Sequence, residues 1–208
     1  MKDKIISGLK WFFKSFIWLF IVLLGLDILT KQLILHAETA PGSVISDWGF
    51  VHISYVLNRG AAFGIGTGNE TANRIIYLIV ASLISIAIAA YLIIKGKETK
   101  LFMRASLILV ITGAIGNVID RVFYGPLQGA EGLFSGAVVD WIDFYWFWGY
   151  VFNIADCCIV IAAFMMIIYI IVLEVKEMIE RRNAEVKMEK DVIEEDKMPE
   201  NSENKESE

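Results

Sequence analysis

The chain has 208 residues, 56% of them hydrophobic, with a formal net charge of −5 and a mean hydropathy of +0.57. So apolar a composition excludes an ordinary soluble domain and points to a membrane class. Two cysteines and two histidines exclude a disulfide scaffold and leave little from which to build a metal centre.

In chain order, Lys2, Lys4, Lys10 and Lys14 precede a first apolar run, residues 11–35, interrupted by Asp27 and Lys31. Lysines, an apolar run and then Ala37-Glu38-Thr39-Ala40 resemble a cleaved signal peptide, but the run is too long and holds charges, so it reads as a retained span. Residues 36–74 follow. Within them VHISYVLN alternates apolar and polar residues as a strand does, and RGAAFGIGTGN supplies glycines for tight turns or close backbone approach. A small sheet holding an extended peptide is expected here, with a plain structured loop as the alternative.

The second run, residues 75–94, carries no charge, and Lys95, Lys97, Lys100 and Arg104 lie at its junction with the third, residues 101–121. The third ends in GAIGN and Asp120-Arg121, where Gly113 and Gly116 read as close-packing positions. Residues 122–150 connect to the fourth run, 151–173, which carries Asn153 and Asp156 in its first two turns. Cys157 and Cys158 point about 100° apart on a helix, which suits small core fillers better than a chelating pair. His36 and His52 lack ligand spacing, so no metal site is expected. Residues 174–208 read as a short amphipathic extension followed by a disordered acidic tail.

A bilayer core needs about 20 apolar residues in a helix, so the expected domain is a four-span membrane bundle over residues 1–173. No Lys or Arg occurs from Phe123 to Tyr150, and only Arg59 from His36 to Asn73. Lysines and arginines therefore put both termini in the cytoplasm and segments 36–74 and 122–150 outside. On that topology Asp27 and Lys31, Asn117, Asp120 and Arg121, and Asn153 and Asp156 all fall near the outer surface. Asp156 lies only about 8 Å into its helix. Asp140 reaches the same level from the connecting loop.

Several of these groups have plain structural readings. Asp27 and Lys31, four apart, can be an internal ion pair, and Arg121 can pair with Asp120 or snorkel. Asn117 and Asn153 can be interhelical glue, and Trp141, Tyr145, Trp146 and Trp148 an interfacial belt. Asp143 can simply face water. Asp140 and Asp156 have no such reading, because neither has a cation near it in sequence and both sit at the hydrocarbon boundary. Two carboxylates in a poorly solvated place hold one proton between them. Aspartic proteases use that arrangement: one member deprotonates water while the other protonates the substrate carbonyl. A coupled transporter using Asp27, Asp120 and Asp156 would instead keep its charges at the midplane and show repeated halves. A hydrolase binding a metal through three aspartates would be sensitive to chelators. A purely structural membrane protein would tolerate loss of either carboxylate.

The sequence resembles lipoprotein signal peptidase, the bacterial membrane aspartic peptidase family also called signal peptidase II. LDILTK, LNRGAAFGI, GNVIDR, VVDWID and FNIAD carry the likeness, in that order, over residues 26–156. The resemblance implies Asp140 and Asp156 as the catalytic pair. It implies that Asn117, Asp120, Arg121 and Asn153 shape and polarise the site, and that Asp27, Lys31 and Asn58 serve substrate positioning or site stability. The implied fold is an all-α membrane protein with a small extracytoplasmic β-rich cradle. The implied substrate is a diacylglyceryl-modified prolipoprotein cut just before its lipidated cysteine, in the bacterial cell membrane near the outer leaflet. No cofactor, no metal and no nucleic-acid partner is expected, membrane lipids are expected around it, and a monomer is expected. The chain departs from the family in its longer 122–139 segment, its acidic tail and Cys157-Cys158.

Overall fold

Four helices have the length and apolar content to cross a bilayer. The computed structural model describes residues 2–60 and 69–196, and in chain order its elements are α1 (Lys2–Ser15), α2 (Ile17–Leu35), β1 (Ser43–Asp47), β2 (His52–Asn58), α3 (Glu70–Lys95), α4 (Leu101–Phe123), β3 (Val138–Asp143), β4 (Val151–Phe152) and α5 (Ile154–Asp196). Among the described residues, those up to Met166 form one compact unit and those from Ile167 to Asp196 a second.

The first span is shorter than the expected 11–35. Phe16 takes a left-handed conformation, φ 60°, and ends α1 before α2 begins at Ile17. Trp18 Nε1 donates to the Phe13 carbonyl across the break, at 3.2 Å. The second span starts earlier than expected, because Asn69 caps α3 by accepting from the Thr71 and Ala72 amides. A tight turn joins α3 to α4, where Arg104 donates to the Gly96 and Thr99 carbonyls.

Helix α4 is the hub. Ala105, Ser106, Ile108, Leu109, Ile111, Thr112, Gly113, Ala114, Gly116 and Asp120 are all buried on it. Ser106 and Thr112 donate to carbonyls one turn back, at 3.0 and 2.7 Å, so their hydroxyls are satisfied within the helix. Ala155, Cys158 and Ala162 make a small-residue stripe at helical spacing on α5. Cys158 and Ala162 pack with Leu109, Leu19 and Leu23. The glycines act as the sequence suggests. A Cβ at Gly113 would collide with the Ala155 carbonyl and Ile159, and one at Gly116 would meet Asp27 Oδ2 at 2.6 Å and the Ala155 Cβ at 2.9 Å. On the outer faces, Leu83, Ile86 and Ile93 of α3 and Phe164 of α5 are exposed, which is how helices look that face lipid rather than water.

The expected cradle is a four-stranded antiparallel sheet in the order β1-β2-β3-β4. The VHISYVLN strand is β2. β3 was not expected, since VVDWID reads from sequence as connecting loop. Asp140 therefore arrives on a strand, paired with Val56. An extra residue on β2 between Ile53 and Val56 bulges the ladder there. Ile34 of α2, Tyr55 of β2, Val139 of β3 and Tyr124 beyond α4 form a buried cluster that seats the sheet on the ends of α2 and α4. Trp141 packs against this cluster and so does not belong to an interfacial belt, whereas Tyr145, Trp146 and Trp148 are exposed.

The lengthened 122–139 segment is ordered. Gln128 clasps both the amide and the carbonyl of Ala137, at 2.7 and 2.8 Å, and Arg74 donates to the Ser135 carbonyl at 2.9 Å. In the second unit the charged segment expected to be disordered is helical to Asp196, with exposed Lys176–Glu180 and Arg181–Glu177 pairs. Residues 197–208 lie outside the described residues, as do residues 61–68 of the glycine-rich stretch.

Candidate active site

Asp27 and Lys31 sit one turn apart on α2 and are fully buried, where an unpaired charge would be very costly. Lys31 Nζ lies 2.8 Å from Asp27 Oδ2 and 2.9 Å from Asp120 Oδ2 of α4, and donates to Asn117 Oδ1 at 3.2 Å. The ammonium is therefore ion-paired with two carboxylates and hydrogen-bonded to one amide oxygen, from two helices. Each aspartate also holds a backbone amide of another element. Asp27 Oδ1 accepts from the Ala155 amide in the first turn of α5, at 2.9 Å. Asp120 Oδ2 accepts from the Val139 amide of β3, at 3.1 Å. This triad joins α2, α4, α5 and β3 at one level.

Asn153 and Asp156 form a reciprocal cap at the start of α5. Asn153 Oδ1 accepts from the Asp156 amide at 2.9 Å, and Asp156 Oδ2 accepts from the Asn153 amide at 3.3 Å. Because α5 begins at Ile154, Asp156 lies in its first turn, shallower than the expected 151 start implied. The cap fixes the rotamers of both side chains and turns Asn153 Nδ2 toward β3. That amide donates to Asp140 Oδ1 at 2.7 Å and to Asn117 Oδ1 at 3.2 Å. Asn58 Nδ2, at the end of β2, donates to Asp140 Oδ2 at 3.1 Å. Asn117 Nδ2 donates to Asp156 Oδ1 at 2.7 Å.

Each of the four oxygens of Asp140 and Asp156 thus accepts from an amide, three from asparagine side chains and one from backbone. All four donors are neutral. They orient the two carboxylates without cancelling their charge, while Lys31 is committed to Asp27 and Asp120. Arg121 donates to the Asn117 carbonyl at 2.9 Å and lies over the Tyr77 ring at 5.6 Å. Burial, and next the negative charge of Asp156, push the Asp140 carboxyl up to about 8, against the opposing pull of its two asparagine donors. A protonated Asp140 is the arrangement that low dielectric and like charge favour.

All nine residues singled out from the sequence (Asp27, Lys31, Asn58, Asn117, Asp120, Arg121, Asn153, Asp140 and Asp156) belong to one connected network. Asp143 is not part of it. Its carboxylate accepts from Ser54 Oγ at 2.9 Å, so it is anchored within the sheet rather than simply facing water. Sequence reasoning missed Tyr77, one of two tyrosines in its span, which nothing in the sequence sets apart from Tyr91. It also missed Tyr150, which lines cavities on both sides of the pair. One cavity of about 380 Å³ lies between α3, α4 and α5, with Asp156, Val80, Ile84 and Ile159 in its wall. The other, of about 410 Å³, reaches Asp140 from the side of Arg59, Glu70 and Asn73.

Residues 19–172 match the family described as signal peptidase (SPase) II. The chain is 37% identical to a lipoprotein signal peptidase of Clostridioides difficile (strain 630) over 161 residues, 77% of this chain and 97% of the relative. It is 40% identical to one of Clostridium acetobutylicum over 128 residues, 62% of this chain and 75% of the relative. A solved bacterial membrane enzyme superposes with a TM-score of 0.59 at 30% identity, covering 74% of this chain and 86% of the other. The chain belongs to the signal peptidase II family.

Proposed function

We propose that Asp140 and Asp156 are the catalytic pair of this chain, an aspartic endopeptidase of the signal peptidase II type that removes signal peptides from diacylglyceryl-modified prolipoproteins by cleaving just before the lipidated cysteine. One observation carries the assignment: a buried carboxylate, Asp140, and a half-buried one, Asp156, both held by neutral amides, while the neighbouring Lys31 is already paired with Asp27 and Asp120. Such a pair keeps one proton. Asp140 begins as the acid and Asp156 as the base. Asp156 takes a proton from water as the oxygen attacks the scissile carbonyl, and Asp140 gives its proton to the carbonyl oxygen. The roles then reverse as the amide nitrogen is protonated and leaves.

The remaining residues position the pair. Asn153 and Asn58 fix Asp140, Asn117 fixes Asp156, and the Asp27–Lys31–Asp120 triad fixes the helix ends that carry them. Arg121 offers positive charge to the face where carbonyl charge develops. The apolar cavity beside Asp156 suits the lipid side of the scissile bond, and the more polar one beside Asp140 suits the peptide side. Both termini are cytoplasmic and the pair lies near the outer leaflet, a topology supported by the lysine and arginine distribution.

The test is cleavage of a diacylglyceryl-modified prolipoprotein by purified protein, followed as a size shift with and without EDTA. Asp140→Asn and Asp156→Asn each abolish cleavage while the protein still inserts and accumulates, and Asp143→Asn retains substantial activity. Equal loss at all three positions, or loss on chelation, would defeat the assignment.

A further inference from the structure

At the end of the bundle opposite the carboxylates, the last turn of α1, the start of α2, the end of α3 and the start of α4 enclose a groove of about 1000 Å³. Its walls are hydrocarbon, from Phe20, Leu92, Ile108 and Ile111. Its rim is cationic, from Lys14, Lys97, Lys100 and Arg104. Arg104 is already engaged. It donates to the carbonyls of Lys14, Gly96 and Thr99 and so binds the end of α1 to the α3–α4 turn. Among the described residues the three lysine ammoniums have no hydrogen-bond partner. Among the described residues none of them is ion-paired, and the neighbouring acid, Glu98, is taken by Lys95 at 3.1 Å.

Four cations around one apolar opening repel one another, and a fixed arginine scaffold prevents the rim from spreading. A ligand that relieves this must bring negative charge to the rim and hydrocarbon to the walls at once. A free anion meets only the first requirement, and a zwitterionic lipid meets only the second in full, because its own cation offsets its phosphate. Basic pockets between spans are the places where anionic headgroups bind. The amphipathic sequence of α1, which carries Lys2, Lys4, Lys10 and Lys14 among apolar residues, is that of a helix lying along a membrane surface. We propose that this groove binds one anionic phospholipid, its phosphate against Lys14, Lys97 and Lys100 and an acyl chain along α2, α3 and α4. The site is separate from the catalytic pair and stands whether or not the pair is correctly assigned.

The full chain, delipidated in neutral detergent, is titrated with phosphatidylglycerol, with phosphatidylcholine of the same acyl chains, and with inorganic phosphate, following thermal unfolding and lipid adducts by native mass spectrometry. Phosphatidylglycerol is expected to bind about tenfold more tightly than phosphatidylcholine and to raise Tm, with no effect of phosphate alone. The triple variant K14Q/K97Q/K100Q removes that preference and leaves the phosphatidylcholine response and cleavage in lipid-free detergent unchanged. The charge-preserving variant K14R/K97R/K100R retains the preference and serves as the folding control. Equal binding of the two lipids, a preference that survives the glutamine variant, or a Tm rise reproduced by phosphate alone would each overturn the proposal.

Discussion

Lys31 and Asp140 show how similar burial leads to opposite roles. Lys31 is wholly buried but fully satisfied, with two carboxylates and an amide oxygen within 3.2 Å. Replacing it by Met leaves Asp27 and Asp120 as unpaired buried charges, and removing one partner of a buried pair costs about 3–5 kcal/mol. Lys31→Met is therefore expected to lower folded yield and thermal stability in detergent, and wild-type stability in that variant would show the triad to be dispensable. Asp140 is instead left beside a like charge, with its carboxyl raised to about 8. Ionising it disfavours the fold. Its contribution is complete below its unfolded pKa of about 3.9 and declines as pH rises toward the folded value. Asp140→Asn mimics the protonated form, so it loses activity without losing stability. On the proposed assignment the same proton sets the alkaline limb of activity. Cleavage falls as pH rises past about 8, because the pair then gives up the proton it donates to the carbonyl. A rate still flat at pH 10 would mean that Asp140 is not the acid.

The elements differ in how openly the sequence announces them. The four spans and β2 were legible, because a long apolar run and a period-two alternation are statements about one chain segment alone. β3 was not. Val138, Val139 and Asp140 are all buried, with Val139 facing the cluster on α2 and α4 and Asp140 facing the asparagines, so no alternation survives. The break at Phe16 was equally hidden, since a phenylalanine at positive φ has no local signal. Asp27, Lys31, Asp120, Arg121 and Asp156 were legible because charge inside a span is conspicuous, whereas Asn58 was marked only by the family resemblance. Their partners were not, because the amides of Ala155 and Val139 carry no mark in sequence. Close packing at Gly116 follows from the same assembly, since its missing side chain is what lets α4 approach Asp27 and Ala155. Gly116→Ala should cost about 1–3 kcal/mol through overpacking and reduce cleavage with it. Gly25→Ala on α2 meets nothing within 4 Å and should be neutral or slightly stabilising, as alanine favours helix. Equal tolerance of both substitutions, measured as Tm in one detergent, would show that α4 does not depend on that contact.

At the scale of the whole molecule, the spans bring every buried charge of the network to one end, and the sheet closes over that end. On the proposed topology the peptidase meets its substrate at headgroup level, with the hydrophobic cavity beside Asp156 opening between α3, α4 and α5. A buried methylene contributes about 0.8 kcal/mol, so leaving two acyl chains in the bilayer or against Val80, Ile84 and Ile159 outweighs what a few peptide side chains can add. The diacylglyceryl anchor also converts the search for the site into diffusion in two dimensions, raising the effective concentration of the scissile bond. Recognition should then rest on the anchor and on small residues before the cysteine, with few sequence-specific pockets. One prolipoprotein, prepared with and without its diacylglyceryl group and assayed at matched concentration in the same detergent, separates this from general peptide recognition. The modified form is expected to be cleaved at least about a hundredfold more efficiently, a difference that fewer than four buried methylenes supply. Comparable cleavage of the two forms would mean that the cavity beside Asp156 reads peptide, and that the enzyme is a general membrane peptidase.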